Sequence, residues 1–314
     1  MSLLTKTLRC LTDLPRSLRR TPRPRLIMTL LVKNEALMLE HNLRFHKQMG
    51  VDAFIVTDNN STDATPDILE RYRQKGWIVE IIRETATDYA QKQWVDRMVW
   101  LAKTRYGADW VINADADEFW HPAGGCLKDE MAATRANVLN CTMRSVYPEE
   151  GKPWTAWEHT VRQVDNYEAY GLSLYSIFER QNKKVAHRTA GYLQISMGNH
   201  KVKMLPQREA KSGIVVYHYN VRSRREFVEK MVNGGKQLEQ HKGRHGGRHW
   251  RYFYRLYKEG QLEAEYDRVI GSAIRPRLEA EGFICHDNPM PALLAALLRR
   301  RGALFSPALP PFPP

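Results

Sequence analysis

Between residues 25 and 112, four short apolar runs alternate with three segments of helical periodicity, and few chain architectures accommodate that order. The runs cover residues 25–32, 53–57, 77–82 and 110–112. The first intervening segment places Leu39, Leu43, Phe45 and Met49 near helical spacing and stops at Gly50. The second opens on Thr65-Pro66, with Thr65 expected as the cap and Pro66 at the first helical position, and stops at Gly76. The third, residues 88–106, puts Val95, Met98, Val99 and Ala102 on one face. Runs this apolar need cover on both faces, which helices between parallel strands provide. The expectation is an α/β chain with a central, mostly parallel sheet flanked by helices. Ligands of such sheets bind beyond the carboxyl ends of the strands. Each run here is followed by polar residues: Asn34-Glu35, the stretch from Asp58 to Asp63, Arg83-Glu84, and the stretch from Asp115 to Glu118. No G-x-G-x-x-G motif and no P-loop is present.

The last cluster carries the most chemistry. It lies in Trp-Val-Ile-Asn-Ala-Asp-Ala-Asp-Glu-Phe-Trp, residues 110–120. In extended chain, residues i and i+2 project to the same side, so Asp115 and Asp117 leave the strand end together. Two adjacent carboxylates repel and raise each other's pKa unless a cation lies between them. Oxygen ligands suit Mg²⁺ or Mn²⁺, and a site with few protein ligands leaves positions for diphosphate oxygens. A bare D-x-D is often only a solvated acidic turn. The apolar strand before this one and the aromatic pair after it favour metal binding.

The chain has 314 residues, 43% of them hydrophobic, which allows one large domain with an extension or two smaller ones. The formal charge of +13 suits an anionic partner. The four cysteines, Cys10, Cys126, Cys141 and Cys285, form no C-x-x-C pair, which argues against a zinc site or disulfide framework and for a cytoplasmic setting. No run of about 18 apolar residues is present to cross a membrane. Leucines among Lys6, Arg9, Arg16, Arg19 and Arg20 allow the first 24 residues to lie on a membrane surface, with a frayed basic terminus as the alternative. In the second half, strands are expected at 136–146, 174–178, 184–187, 191–203 and 214–219, the last ending near His218. Residues 147–159 read as a loop carrying Glu149, Glu150 and Glu158. Ser223 and Glu226 have capping-box spacing, helices dominate from residue 248, and residues 306–314 form a proline-rich tail.

Taken together, Lys33-Asn34-Glu35, Asp58-Asn-Asn-Ser-Thr-Asp63, Asn113-Ala-Asp-Ala-Asp-Glu-Phe-Trp120, Gly198-Asn-His200 and Tyr217-His218-Tyr219 resemble the family 2-like glycosyltransferases of the GT-A fold, in particular the bacterial subgroup with D-N-N-S-T-D and D-A-D-E-F. The resemblance covers roughly residues 25 to 235. It implies a GT-A-like domain over residues 25–245, after a basic segment at 1–24 and before a helical extension at 246–314. It implies that Asp58 and Asn59 contact the base or ribose of a nucleotide-sugar, that Asp115 lies near the ribose, and that Asp117 ligates the metal on the diphosphate. His218 would complete the metal shell, and Lys184 and His200 match positions where such enzymes carry a basic residue and a histidine. With Asn34 and Glu35, these make up the expected donor site.

The expected activity is metal-dependent transfer, with inversion, of a sugar from a UDP-sugar to a glycan or lipid-linked acceptor in cell-surface polysaccharide synthesis. A carboxylate must then take the acceptor's proton. The Glu-Asp dipeptide that would name it is missing, so Glu149, Glu150, Glu158 and Asp165 are the candidates and Glu150 is chosen. Two other classes compete. A nucleic-acid binder could use Lys242, Arg244, Arg248 and Arg251 interleaved with His249, Trp250, Tyr252 and Tyr254, but the acidic strand-end edge would repel a phosphate backbone, so no nucleic-acid partner is expected. A nucleotidyltransferase would also use paired Asp and Mg²⁺, but Lys33-Asn34-Glu35 stands where its glycine-rich phosphate loop belongs.

Overall fold

The computed structural model describes residues 21–86, 90–240 and 247–299, together with Asp13 and Pro15. Most of the basic segment at 1–24, Asp88, Lys242, Arg244 and the proline-rich tail at 306–314 lie outside the described residues. The chain runs β1 (Leu26–Val32), α1 (Ala36–Gln48), β2 (Ala53–Asp58), α2 (Thr65–Gln74), β3 (Ile78–Arg83), α3 (Gln91–Thr104), β4 (Trp110–Ala114), β5 (Glu118–His121), α4 (Leu127–Ala133) and β6 (Val138–Ser145). It continues with β7 (Thr160–Val161), β8 (Lys184–Arg188), β9 (Tyr192–Ile195), β10 (Val202–Met204), β11 (Glu209–His218), α5 (Arg224–Gln240), α6 (Arg248–Lys258), α7 (Leu262–Ile270), α8 (Arg275–Ala280), β12 (Ile284–Cys285) and α9 (Met290–Arg299).

The expected α/β class is the one observed. Eight strands form one sheet in the order β3-β2-β1-β4-β8-β6-β11-β5. β1 pairs in parallel with β2 and β4, and β2 with β3, so these four strands end at one edge. Beyond β4 the sheet turns antiparallel, β8 pairing with both β4 and β6. β2 and β4 are buried along their whole length and β1 nearly so, as strands covered on both faces must be. The face foreseen on α3 is the buried one: Val95, Met98, Val99 and Ala102 pack with Ile27, Ile55 and Val111. Gly50, at φ 100°, ends α1 where a β-carbon would lie 2.8 Å from Cys126 Sγ, so a side chain is excluded by both torsion and space.

Three local expectations are corrected. Thr65 is not the cap of α2 but its first residue; Asp63 Oδ1 accepts the Thr65 N–H, and the Thr65 hydroxyl accepts the Glu35 N–H at the start of α1. Residues 174–178 form turns instead of a strand, because the Ser176 N–H bonds back to the Ser173 carbonyl and the Ile177 N–H to Val269. Residues 191–203 contain a short hairpin, β9 with β10, broken by a turn in which Asn199 has φ 59°.

The chain divides into two compact units, residues 1–143, 182–216 and 297–314 in one and 144–181 and 217–296 in the other. The second unit has its own core, in which Phe227, Phe253, Leu256, Tyr266, Val269 and Leu278 are buried. Ser223 Oγ accepts the Glu226 N–H at the start of α5, the first half of the foreseen capping box. Trp250, Tyr252 and Tyr254 pack against this core, and Tyr252 OH donates to Glu265 (2.8 Å). Those rings are therefore engaged in packing α6 and are not open stacking platforms.

Candidate active site

Because β1 to β4 are parallel, the loops after them share one edge, and the hydrogen bonds between these loops show why the polar residues are there. Asn34 stands at φ 56°, a conformation asparagine tolerates. Its N–H donates to Ser61 Oγ (3.0 Å), and its Oδ1 accepts the Thr62 N–H (2.7 Å). The Ala36 N–H donates to Asp63 Oδ2 (3.1 Å). Burial pushes the Asp63 carboxyl upward, but bonds from Thr65 and Ala36 outweigh it and hold the pKa below its usual value. Asn59 is buried and donates both amide protons, to the carbonyls of Glu84 (3.2 Å) and Ala86 (2.9 Å). Asp58, 4% exposed, meets Arg83 Nη1 at 2.5 Å and accepts the Ser61 N–H. The Asp-Asn-Asn-Ser-Thr-Asp stretch thus knits the loops after β1, β2 and β3 into one floor.

Asp115 and Asp117 follow β4, with Asp117 buried and Asp115 part-exposed. Lys184, the first residue of β8, is brought to them. Its Nζ lies 2.5 Å from Glu118 Oε1 and 3.5 Å from Asp115 Oδ2. Burial pulls the Lys184 pKa down, but the charges of Glu118, Asp115 and Asp117 outweigh it, and the ammonium is held well above its ordinary value. Lys184 thus neutralises part of a three-carboxylate cluster from inside the protein. Glu118, fully buried, belongs to this cluster; the sequence marks it as the end of the acidic stretch but assigns it no role. The resemblance had offered Lys184 as a basic residue of the site, but nothing in the sequence paired it with Glu118.

Beneath the loop runs a buried polar chain. Thr29 Oγ1 donates to Asn113 Oδ1 (2.6 Å), and Asn113 Nδ2 lies 3.0 Å from His187 Nε2. His187 Nδ1 lies 2.9 Å from the Arg188 carbonyl, which makes Nδ1 the protonated nitrogen and Nε2 the acceptor. Burial pushes the His187 pKa down to about 4. Helix α1 reaches the loop through Asn42 and the strand after it, β5, through His46, both fully buried.

The remaining foreseen residues are elsewhere. His200 Nδ1 meets the carbonyl of Lys183, next in sequence to Lys184. His218 ends β11 and, with Glu149 and Glu150, falls in the second unit. Glu149 is buried and accepts from Lys152 Nζ (2.7 Å), the Glu158 N–H (2.6 Å) and His159 Nδ1 (2.9 Å). Burial raises its pKa, but the bonds from His159, Lys152 and Glu158 prevail and bring it down to about 2, which suits an anchor and not a base. Glu150 is exposed, as are Glu158 and Asp165.

The sheet thus turns from parallel to antiparallel beyond β4, with a floor of interlocked loops and a carboxylate cluster at its strand ends. Residues 27–246 match the profile of glycosyltransferase family 92, and the chain belongs to that family: it is a glycosyltransferase. No curated sequence matches the chain. Among solved structures, S. aureus TarS is similar at 15% identity over 81% of this chain and 74% of that one, with a TM-score of 0.40. Its complex with UDP is similar at 14% identity over 82% and 75%, with a TM-score of 0.39. Glucosyl-3-phosphoglycerate synthase from Mycobacterium tuberculosis, solved with Mn²⁺, UDP and glucosyl-3-phosphoglycerate, is 16% identical over 38% of this chain and 44% of that one, with a TM-score of 0.27.

Proposed function

We propose that this glycosyltransferase uses a nucleotide-sugar, a UDP-sugar, and transfers the sugar with inversion to a glycan or lipid-linked acceptor in cell-surface polysaccharide synthesis. The observation that carries the reading is the convergence of the loops after β1, β2, β3 and β4 on one sheet edge, with Asp115 and Asp117 on the last. Asn34, Glu35, Asp58, Asn59 and Lys184 complete the donor side of the proposal, with His200, whose Nδ1 meets the carbonyl of Lys183.

The donor atoms fit Mn²⁺ or Mg²⁺, since Asp115 and Asp117 both offer carboxylate oxygens just after β4, Asp115 part-exposed and Asp117 buried. Among the described residues, no group of three or more His, Cys, Asp or Glu side chains could hold a metal alone. An ion on Asp115 and Asp117 would therefore take its other ligands largely from the diphosphate and water. Bound there, it would neutralise charge on the departing diphosphate. Lys184 offsets the repulsion among Asp115, Asp117 and Glu118, so that the loop is shaped before any ligand arrives. The same reading assigns the acceptor's proton to Glu150, the catalytic domain to residues 25–245 and a membrane-surface role to the segment at 1–24. It also groups the chain with family 2-like enzymes carrying D-N-N-S-T-D and D-A-D-E-F.

Thermal unfolding with a panel of nucleoside diphosphates, with and without Mn²⁺, tests the donor assignment. A ligand at a hundred times its Kd adds about 2.7 kcal/mol to the folded state. The expected result is a rise in melting temperature with UDP that requires the metal. No rise with any nucleoside diphosphate at millimolar ligand and metal overturns the reading.

A further inference from the structure

Helix α1 carries an apolar face with two polar residues in it. Leu39, Leu43 and Phe45 are buried as expected, together with Met38, but so are Asn42 and His46. Asn42 reaches the loop that holds the paired acids, and His46 reaches β5 directly after it. Asn42 Nδ2 donates one proton to the Ala116 carbonyl (3.0 Å) and the other to the Glu118 carbonyl (2.8 Å), one on each side of Asp117. The Trp120 N–H donates to His46 Nε2 (3.0 Å). His46 Nδ1 lies 2.9 Å from the Asn42 carbonyl and 3.0 Å from Asn42 Oδ1. Since Nε2 accepts a backbone N–H, Nδ1 carries the proton, and the imidazole orients the amide that grips the loop. Phe45 and Phe119 hold the ring from two sides, edge-on at 5.2 Å and stacked at 6.1 Å.

We infer that Asn42 and His46 are positioning residues for Asp117: by fixing the backbone on both sides of it, they hold its carboxylate where the donor's metal–diphosphate group needs it. The inference rests on the donor-site reading above. The apolar residues of α1 suffice to pack the helix, so two buried polar side chains aimed at one loop and the strand after it call for a cause beyond packing. Each would cost stability if its bonds were not made. Between β4 and β5 the chain turns, the Glu118 N–H meeting the Asp115 carbonyl (3.2 Å), so the Ala116 carbonyl lies outside both strands and takes its bond from Asn42. The clamp replaces a ladder there. Preorganisation of this kind matters because a displacement of about 1 Å in a reacting group can cost roughly a hundredfold in rate.

The test is a double-mutant cycle read by calorimetric binding of UDP with Mn²⁺, alongside melting temperature and the separate values of kcat and donor KM. Asn42→Leu removes both donors at similar volume, and Asn42→Ser retains one. The inference predicts that folded Asn42→Leu binds UDP with Mn²⁺ at least tenfold more weakly, that Asn42→Ser is intermediate, and that Asn42→Leu adds little once Asp117→Asn is present. His46→Gln, which can still accept the Trp120 N–H, should retain most affinity, whereas His46→Leu should not. If Asn42→Leu does not fold, Asn42→Ser and the two His46 variants carry the same comparison. Weaker binding in Asp117→Asn with unchanged binding in the folded Asn42 and His46 variants overturns the positioning role and leaves the donor site standing. Equal binding by wild type and Asp117→Asn overturns both.

Discussion

The Lys184–Glu118 pair gives the sharpest stability prediction. Lys184 is 3% exposed and Glu118 0%, with Nζ and Oε1 2.5 Å apart and Asp115 a further carboxylate at 3.5 Å. Lys184→Met keeps much of the side-chain volume and removes the buried positive charge that Glu118 and Asp115 contact. Breaking one side of a buried ion pair costs about 3–5 kcal/mol, because the other charge stays buried. For a unit of this size each kcal/mol moves the melting temperature by about 2–4 °C, so the drop should be roughly 6–20 °C. Thermal unfolding gives this drop and urea unfolding the free energy, both followed by tryptophan fluorescence, Trp110 and Trp120 being buried in this unit. Adding Glu118→Gln should recover most of the loss, since the buried charge is then gone. Mn²⁺ should stabilise Lys184→Met more than wild type, because a cation at Asp115 and Asp117 partly restores the missing charge. A Lys184→Met protein within 1 kcal/mol of wild type, or a double variant no more stable than the single one, would refute the pairing argument.

Other consequences concern pH and the neighbouring loops. Burial pushes His46 down to about 3 and His187 to about 4, against an ordinary value of 6.5, so the unfolded chain takes up protons that the folded chain refuses. Their contribution is fully present above pH 6.5 and falls on acidification towards the folded values, by about 1.4 kcal/mol per pH unit for each histidine. Melting temperatures from pH 7 to pH 4.5 should show that slope, and a flat profile would contradict it. Asn59→Ala should cost about 1–3 kcal/mol by orphaning the carbonyls of Glu84 and Ala86, which denaturant unfolding would detect. Glu150→Gln should lower kcat by roughly a hundredfold or more with UDP affinity intact, whereas Glu149→Gln should chiefly lower stability; the reverse pattern in steady-state kinetics and melting would exchange their roles.

Much of the fold was legible in the sequence where physics imposes a period. Strands covered on both faces must be apolar throughout, and β1, β2 and β4 were visible for that reason. The inner face of α3 followed from helical spacing. The strand carrying His218 was found at its apolar end but begins earlier, at Glu209, because its first residues alternate between exposed and part-buried. The turns at residues 174–178 were misjudged because Ile177 and Phe178 are core residues that reach the core from a turn. At the site, Asp58, Asp115 and Asp117 were legible from their place after strands. Asn42 was not: its partners lie 74 and 76 residues away, and a single sequence gives no pairing between distant positions. Its one local sign is an asparagine and a histidine, one turn apart, within the apolar stripe of α1.

Release of UDP from UDP-sugars tests the central claim most directly, measured on wild type and Asp117→Asn at matched fractions of folded protein. The substitution keeps the shape of the side chain and removes its charge. Because Asp117 follows the strand instead of sitting within it, the fold should survive. The account predicts metal-dependent release by wild type with at least one UDP-sugar. It predicts a loss on the order of a hundredfold to a thousandfold in the variant, as when one strong electrostatic stabiliser of a transition state is removed. Undiminished release by a well-folded Asp117→Asn protein would contradict it.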